Sequence, residues 1–389
     1  MKKSLLVLAL AGALSAGAYA ANVEMYGLID TSLVYVHTDA DFGENAKNDS
    51  FTMETAQQMG SRWGLRGSED LGNGYKIGFT LESGFESDTG ALEVKQGNRL
   101  FGREANLNVS GDFGTVWAGR MPVFGSVLGP NGLFRAIDPI TANYTSALGS
   151  GYATASMWTR VDNAIAYRTP TYSGLTGYAM YSFKMDDKAK GAENQIEGKA
   201  SSDRYTALAL RYQAGPLEAI LVGDMTDWGN LGAAKGRDDG YTVTLGGNYT
   251  FDGGLKVLAF YQYFDSMRLN ANARGGVAKD GIFAAVEDYG NQVLNNFGYG
   301  FVDGWGTGIG VNYPIFGGTA RAALNYRQMD NEQGIDFTRT TVGAAFDYPL
   351  SKRTWTYVMT GYSQEKVETK FRETTPNGYQ LSLGLVHKF

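Results

Sequence analysis

The chain has 389 residues, a formal charge of −6 and no cysteine, which excludes a small scaffold stapled by disulfides. Its mean hydropathy is −0.25, and after the first twenty residues no apolar run approaches the ~20 residues that a membrane-spanning helix needs. Glycine, at 53 residues beside 24 Tyr and 20 Phe, stands near twice its usual ~7% and fits a transmembrane β-barrel, whose segments are only half apolar.

Residues 1–20 read as a secretory signal peptide. "MKK" is the positive n-region, "SLLVLALAGAL" the short apolar h-region and "AYA" the small-x-small cleavage site after Ala20. Residues 21–389 are expected to form one domain. Along them, segments with a two-residue period predict strands starting near 23, 59, 74, 100, 113, 160, 176, 203, 216, 240, 254, 303, 318, 337, 353 and 378, sixteen in all. In "YTVTLGGNYTF", Tyr241, Val243, Leu245, Tyr249 and Phe251 share one face. In "WGTGIGVNY", Trp305, Thr307, Ile309, Val311 and Tyr313 oppose Gly306, Gly308, Gly310 and Asn312.

The connections alternate in length. "DLGNG", "SGD", "QAGP", "DGG", "PIFGG" and "YPLSKR" are short, whereas 37–58, 86–98, 121–158, 185–202, 226–239, 265–302, 330–336 and 364–377 are long. A sandwich has no reason to sort its loops so, but a barrel crossing a membrane has tight turns at one rim and long loops at the other. The final segment, "GYQLSLGLVHKF", puts Tyr379, Leu381, Leu383 and Leu385 on one face. An unpaired strand would leave backbone groups unsatisfied in lipid, so this one is expected to pair with "VEMYGLIDTSLVYV" and close the barrel.

The sequence resembles the general porins of the Gram-negative outer membrane, nearest to the beta-proteobacterial type. The resemblance is carried by "VEMYGLID", "SRWGLRGSEDLGNGYKIGFTLESGF", "REANLNVSGDFGTVWAGR", "TRVDNAIAYRTPTYSGLTGYAMYSF" and the terminal "LGLVHKF". It implies a 16-stranded antiparallel transmembrane β-barrel with short periplasmic turns and long extracellular loops. It further implies a homotrimer packed through the first strands, set among outer-membrane lipid and lipopolysaccharide. The loop 121–158 would fold into the lumen, and Phe389 would be the signal read by the barrel-assembly machinery.

Parity names the lining. With Trp63 and Leu65 facing out, Arg62 and Arg66 face in; outward, each would cost ~2–4 kcal/mol at the midplane. Likewise Lys76 and Glu82 face in, and with Val161, Ile165 and Tyr167 outward, Arg160, Asp162 and Arg168 face in. Later strands add Arg211, Arg321, Arg327 and Arg339. The resemblance carries constriction roles onto Arg62, Glu82 and Arg160, and onto Arg103 before "A-x-L-x-V". Arg103 shares parity with Ala105, Leu107 and Val109, so this reading turns it outward, onto a polar outer face of the fourth strand at the trimer contact. The third loop contributes Arg135 and Asp138, too few acids for the cation preference of enterobacterial relatives.

These features predict passive diffusion of small hydrophilic solutes with a modest anion preference. A substrate-specific channel for sugars or anions is the alternative. An enzyme on a barrel would need catalytic groups, yet only His37 and His387 and no Cys are present. No cofactor, metal or nucleic-acid partner is expected. The mature chain should begin at Ala21, a mass that intact-protein spectrometry of the outer-membrane fraction reads directly; retention of Met1–Ala20 would refute the signal.

Overall fold

The computed structural model describes residues 22–39, 41, 47–93, 99–140, 150–155, 159–186, 195–231, 234–269 and 300–389. The expected signal peptide therefore lies outside the described residues, as does most of the long loop 265–302. The strands are β1 (Asn22–Asp39), β2 (Lys47–Thr55), β3 (Arg62–Gly72), β4 (Tyr75–Gly84), β5 (Glu104–Gly111) and β6 (Gly114–Pro122). They continue as β7 (Arg160–Arg168), β8 (Leu175–Ser182), β9 (Arg204–Ala214), β10 (Leu217–Asp227), β11 (Gly240–Thr250) and β12 (Lys256–Leu269). The last are β13 (Gly300–Ile315), β14 (Gly318–Asn331), β15 (Asp336–Pro349), β16 (Thr354–Glu368), β17 (Glu373–Thr374) and β18 (Asn377–Lys388).

Every pairing is antiparallel, and β1 with β18 closes the sheet from Leu28↔Lys388 to Asp39↔Asn377. Gly27 and Phe389 extend the ladder by exchanging two backbone hydrogen bonds, at 3.0 and 3.1 Å. The sixteen crossings emerge because β2 and β3 are one interrupted strand: both pair with β1, β2 along its upper part and β3 along Asn22–Leu28. β17 is a two-residue rim fragment beside β16. The result is a closed all-β barrel of sixteen antiparallel crossings.

Local chemistry sets the short turns. Asn73 and Gly74 both have positive φ, 52° and 80°, the twist a two-residue hairpin needs. Side-chain alternation then sorts the two faces. On β18, Leu381, Leu383 and Leu385 are exposed on the outside while Gln380, Ser382 and Val386 are buried inside. Outward rings contact one another, Tyr261 stacked on Trp305, Trp305 tilted against Tyr326 and Tyr249 edge-on to Phe251, as expected of a barrel whose outer face carries aromatic residues.

Two expectations fail, the polar outer face of the fourth crossing and the outward direction of Val161. The polar residues of the fourth crossing, Glu104 and Asn106 on β5, are buried on the lumen side, while Leu107 is exposed outside. Its outer face is apolar, so it offers no polar contact surface. Val161, expected to face out, is fully buried in an apolar cluster with Met121 and Val123. Asn163 is the cause: its φ of 51° breaks the two-residue alternation of β7.

Closure is tightly packed. A methyl group on Gly384 would overlap the ring of Tyr357, which is itself buried and hydrogen-bonded. Gly384→Ala should therefore lower the unfolding free energy in denaturant by about 1–3 kcal/mol, the usual cost of overpacking. An unchanged transition would show that the seam has slack.

Candidate functional site: the lumen and its narrowest point

The chain that leaves β6 turns into the lumen. Met121–Leu128 are all buried, and two 3₁₀ turns follow, Leu133–Ala136 and Ser150–Ala153. Phe124, Phe134 and Ile137 are fully buried, each contributing about 1.5–3 kcal/mol by leaving water. They pack on inward-facing residues of β7–β12, including Ala164, Tyr178, Met180, Ala207, Ile220 and Phe260. Phe124 meets Tyr178 edge-on at 5.4 Å between ring centres, and Phe134 meets Phe260 at 4.9 Å. Farther along, the segment rests on inward glycines. Ile137 lies 2.6 Å from where a Cβ of Gly246 would be, Pro139 covers Gly310, and the carbonyl of Ala153 covers Gly306. Asn248 Nδ2 donates to Ala136 O at 2.7 Å, and Ala155 N–H to Gln262 Oε1 at 2.8 Å.

Opposite this packed half lies a cavity of about 610 Å³ whose lining includes Tyr26, Arg62, Arg66, Glu82, Arg103 and Arg135. Glu82, on β4, is its hub. It accepts from Arg103 Nε at 2.7 Å and from Tyr26 Oη at 2.9 Å, and Arg62 Nε lies 3.6 Å away. Arg103 Nη1 also donates to Glu93 at 3.2 Å. A buried guanidinium needs such partners, because desolvation of a lone charge costs several kcal/mol. Arg160 is 3% exposed and within electrostatic reach of Arg103, Glu93 and Glu82, and among the described residues its Nε has no hydrogen-bond partner.

Of the expected lining residues, Arg62, Glu82, Arg103, Arg135 and Arg160 come together. Arg103 does so by a route that strict alternation misses. It precedes β5, where the ladder with β4 ends at Glu82↔Glu104, so it is free of strand parity and turns inward beside Glu104. Arg66 sits apart from the hub, half-exposed, pairing with Glu24 at 2.9 Å and lying over Tyr26. Asp162 belongs to another cluster, between Arg120 at 2.5 Å and Arg99 at 2.7 Å. Arg168 lies beside the short-turn rim, over the Trp117 ring, and lines a second cavity with Lys76 and Arg211. Asp138 is buried within the loop itself, accepts from Ser150 Oγ at 2.8 Å, and has its carboxyl pushed up to about 6 by burial.

Sequence reasoning missed Arg120, Glu93 and Glu104. Arg120 enters the lumen because Gly119, with φ 133°, slips the β6–β7 register. Glu93 comes from a long loop, where spacing assigns no direction. Glu104 was visible: a carboxylate beside an arginine at a strand start, on a face that lipid would not accept.

The Gram-negative porin family model matches residues 5–368 of the chain. Over its whole length the chain is 33% identical to an outer membrane porin protein of Bordetella pertussis, covering all of that relative. The anion-selective porin from Comamonas acidovorans superposes with a TM-score of 0.65 at 25% identity, over 95% of this chain and all of that one. OmpT of Vibrio cholerae in its trimer form shares the fold, with a TM-score of 0.58 at 13% identity over 95% of this chain and all of that one.

Bulk placed under the loop should push it toward the open side. Gly246→Val is expected to lower single-channel conductance in planar bilayers while the barrel keeps its β-rich circular dichroism. Unchanged conductance would show that Ile137 bears on no part of the aperture.

Proposed function

The chain belongs to the Gram-negative porin family, and on that premise we propose a homotrimeric diffusion channel whose constriction modestly favours anions. Its place is the outer membrane, and its function is the passive passage of small hydrophilic solutes. Residues 1–20 act as the signal peptide, 21–389 as the barrel and 121–158 as the loop that narrows it. The trimer form of OmpT supports the assembly, and Phe389, seated at the closing seam, is the residue the assembly machinery would read.

The observation that carries the anion preference is the order of charges seen from the lumen. Arg135 is exposed and the Arg62 side chain is 21% exposed, whereas Glu82, Glu93 and Glu104 are all buried. A passing ion meets guanidinium groups first and carboxylates behind them. The net charge of −6 does not oppose this, because salt screens charges beyond ~8–10 Å. At the aperture the low-dielectric wall focuses the field of nearby groups instead. The ionic partners of these arginines keep the preference modest. The anion-selective relative from Comamonas acidovorans supports the same sign.

The histidines support a channel without bond chemistry. His37 Nδ1 lies 2.9 Å from Asp49, with its ring stacked on Tyr379, and His387 Nδ1 lies 2.9 Å from Thr354 Oγ1. Both sit on the outward face, away from the lumen.

Reversal potentials in a KCl gradient decide the matter. The unmutated channel should show an anion preference, and Arg62→Ala combined with Arg160→Ala should move the potential toward the cation side. Cation selectivity before mutation would overturn the proposal.

A further inference from the structure

The interruption between β2 and β3 has no place in a simple barrel. Residues 56–61 leave the wall and turn inward: Ala56 takes a φ of 59°, and Gln57, Gln58 and Ser61 are buried. Asp30, on the inward parity of β1 and fully buried, holds the detour. Its Oδ2 accepts from the backbone N–H groups of Gln58 and Met59 at 3.0 and 2.7 Å, and its Oδ1 accepts from Tyr357 Oη at 2.8 Å. Three inward-facing groups on other strands complete the anchorage. Trp355 Nε1 donates to Gln58 Oε1 at 2.6 Å, Gln58 Nε2 to Asp347 at 2.6 Å, and Gln380 Nε2 to Gln57 Oε1 at 2.7 Å.

We propose that this Asp30-anchored ledge is a second constriction element, which positions the arginines that set the channel's selectivity and grips the facing loop. Four contacts carry the inference. Arg62 Nη1 donates to the ledge carbonyl of Gly60 at 2.8 Å, which holds its Nε 3.6 Å from Glu82 and short of a direct hydrogen bond. Arg103 lies over Gly60: a Cβ there would stand 2.6 Å from Nη1, so a larger residue would have to displace the guanidinium that bonds Glu82 and Glu93. On the loop side, Met59 packs in the apolar cluster that contains Leu28 and Ile140. The same Asp347 that holds Gln58 also accepts from Arg321 at 2.8 Å, and Arg321 reaches Pro139 O at 3.5 Å. Ledge and loop are thus clamped through one carboxylate. Asp30 and Gly60 are positioning residues here, since neither carries the charge that an ion meets.

The inference rests on the constriction reading above, so its test includes Arg62→Ala as a reference. The measurements are single-channel conductance and reversal potential in a KCl gradient, for Asp30→Asn and Gly60→Ala in the trimer as extracted. Asp30→Asn loses the charge that holds two N–H groups and a hydroxyl. The released ledge should let Arg62 collapse onto Glu82, so anion preference falls and conductance rises. Removing a buried negative charge by itself would shift the potential the opposite way, toward anions, so the sign separates positioning from direct electrostatics. Gly60→Ala leaves the charge unaltered and should likewise lower anion preference by displacing Arg103. It also serves should Asp30→Asn fail to assemble. If Arg62→Ala moves the reversal potential while Gly60→Ala and any assembled Asp30→Asn leave it unchanged or shift it toward anions, the ledge proposal is wrong and the constriction reading stands. If Arg62→Ala itself moves nothing, the constriction reading falls, and the ledge proposal with it.

Discussion

Everything in this barrel follows from one requirement: no backbone N–H or C=O may be left unpaired where lipid surrounds the chain. It brings β18 back to β1 and makes the ladder run to Gly27 and Phe389. It also explains where the ladder is allowed to break. The detour at 56–61 is covered by its own bonds, with Ala56 N–H donating to Asp30 O at 3.0 Å and Asp30 N–H to Ser61 Oγ at 3.0 Å. The irregularity at Asn163 is covered by Phe183 N–H, which donates to Asn163 O at 3.1 Å. Breaks in the wall survive because local groups replace the missing rungs.

Within that wall the lumen divides into unlike halves. On β7–β12 the inward side chains are mostly small or apolar and form a core with the loop from β6. Across the lumen, Arg62 on β3, Glu82 on β4 and the neighbouring Arg103 and Glu93 gather into a charged cluster around Glu82. The open passage therefore hugs the charged half, which is why a small number of guanidinium groups governs what an ion feels. Arg327 and Arg339, both ion-paired at 2.5 Å to the buried Glu365, belong to the wall on β14–β16 and contribute to its cohesion.

Much of this was legible in the residues. Strand positions, the alternation of turn and loop lengths, and the inward direction of Arg62 and Glu82 all follow from a two-residue period and the cost of a charge facing lipid. What escaped is what breaks the period. Arg103 lies one residue outside its strand, Arg120 is turned by the bulge at Gly119, and Val161 is reversed by Asn163. Glu93 sits in a loop, where no periodicity operates. One signal was present but unread. Apolar residues on the inward parity of successive strands, such as Ala207, Ala209, Ile220 and Val222, have no reason to face water, and they mark where the loop rests.

That apolar half has a consequence for how the barrel comes together. Its core joins residues between Met121 and Phe260, whereas the seam joins Leu28 to Lys388. Closing the shorter stretch of chain costs less entropy, and contacts nearer in sequence form sooner. On loop-closure entropy alone, packing the loop against β7–β12 is therefore less costly than shutting the circle. The Glu82 cluster is more local still, with Arg103 and Glu93 10 residues apart and Tyr26 and Glu82 56 apart, so the contacts that set selectivity lie nearer in sequence than the seam that encloses them.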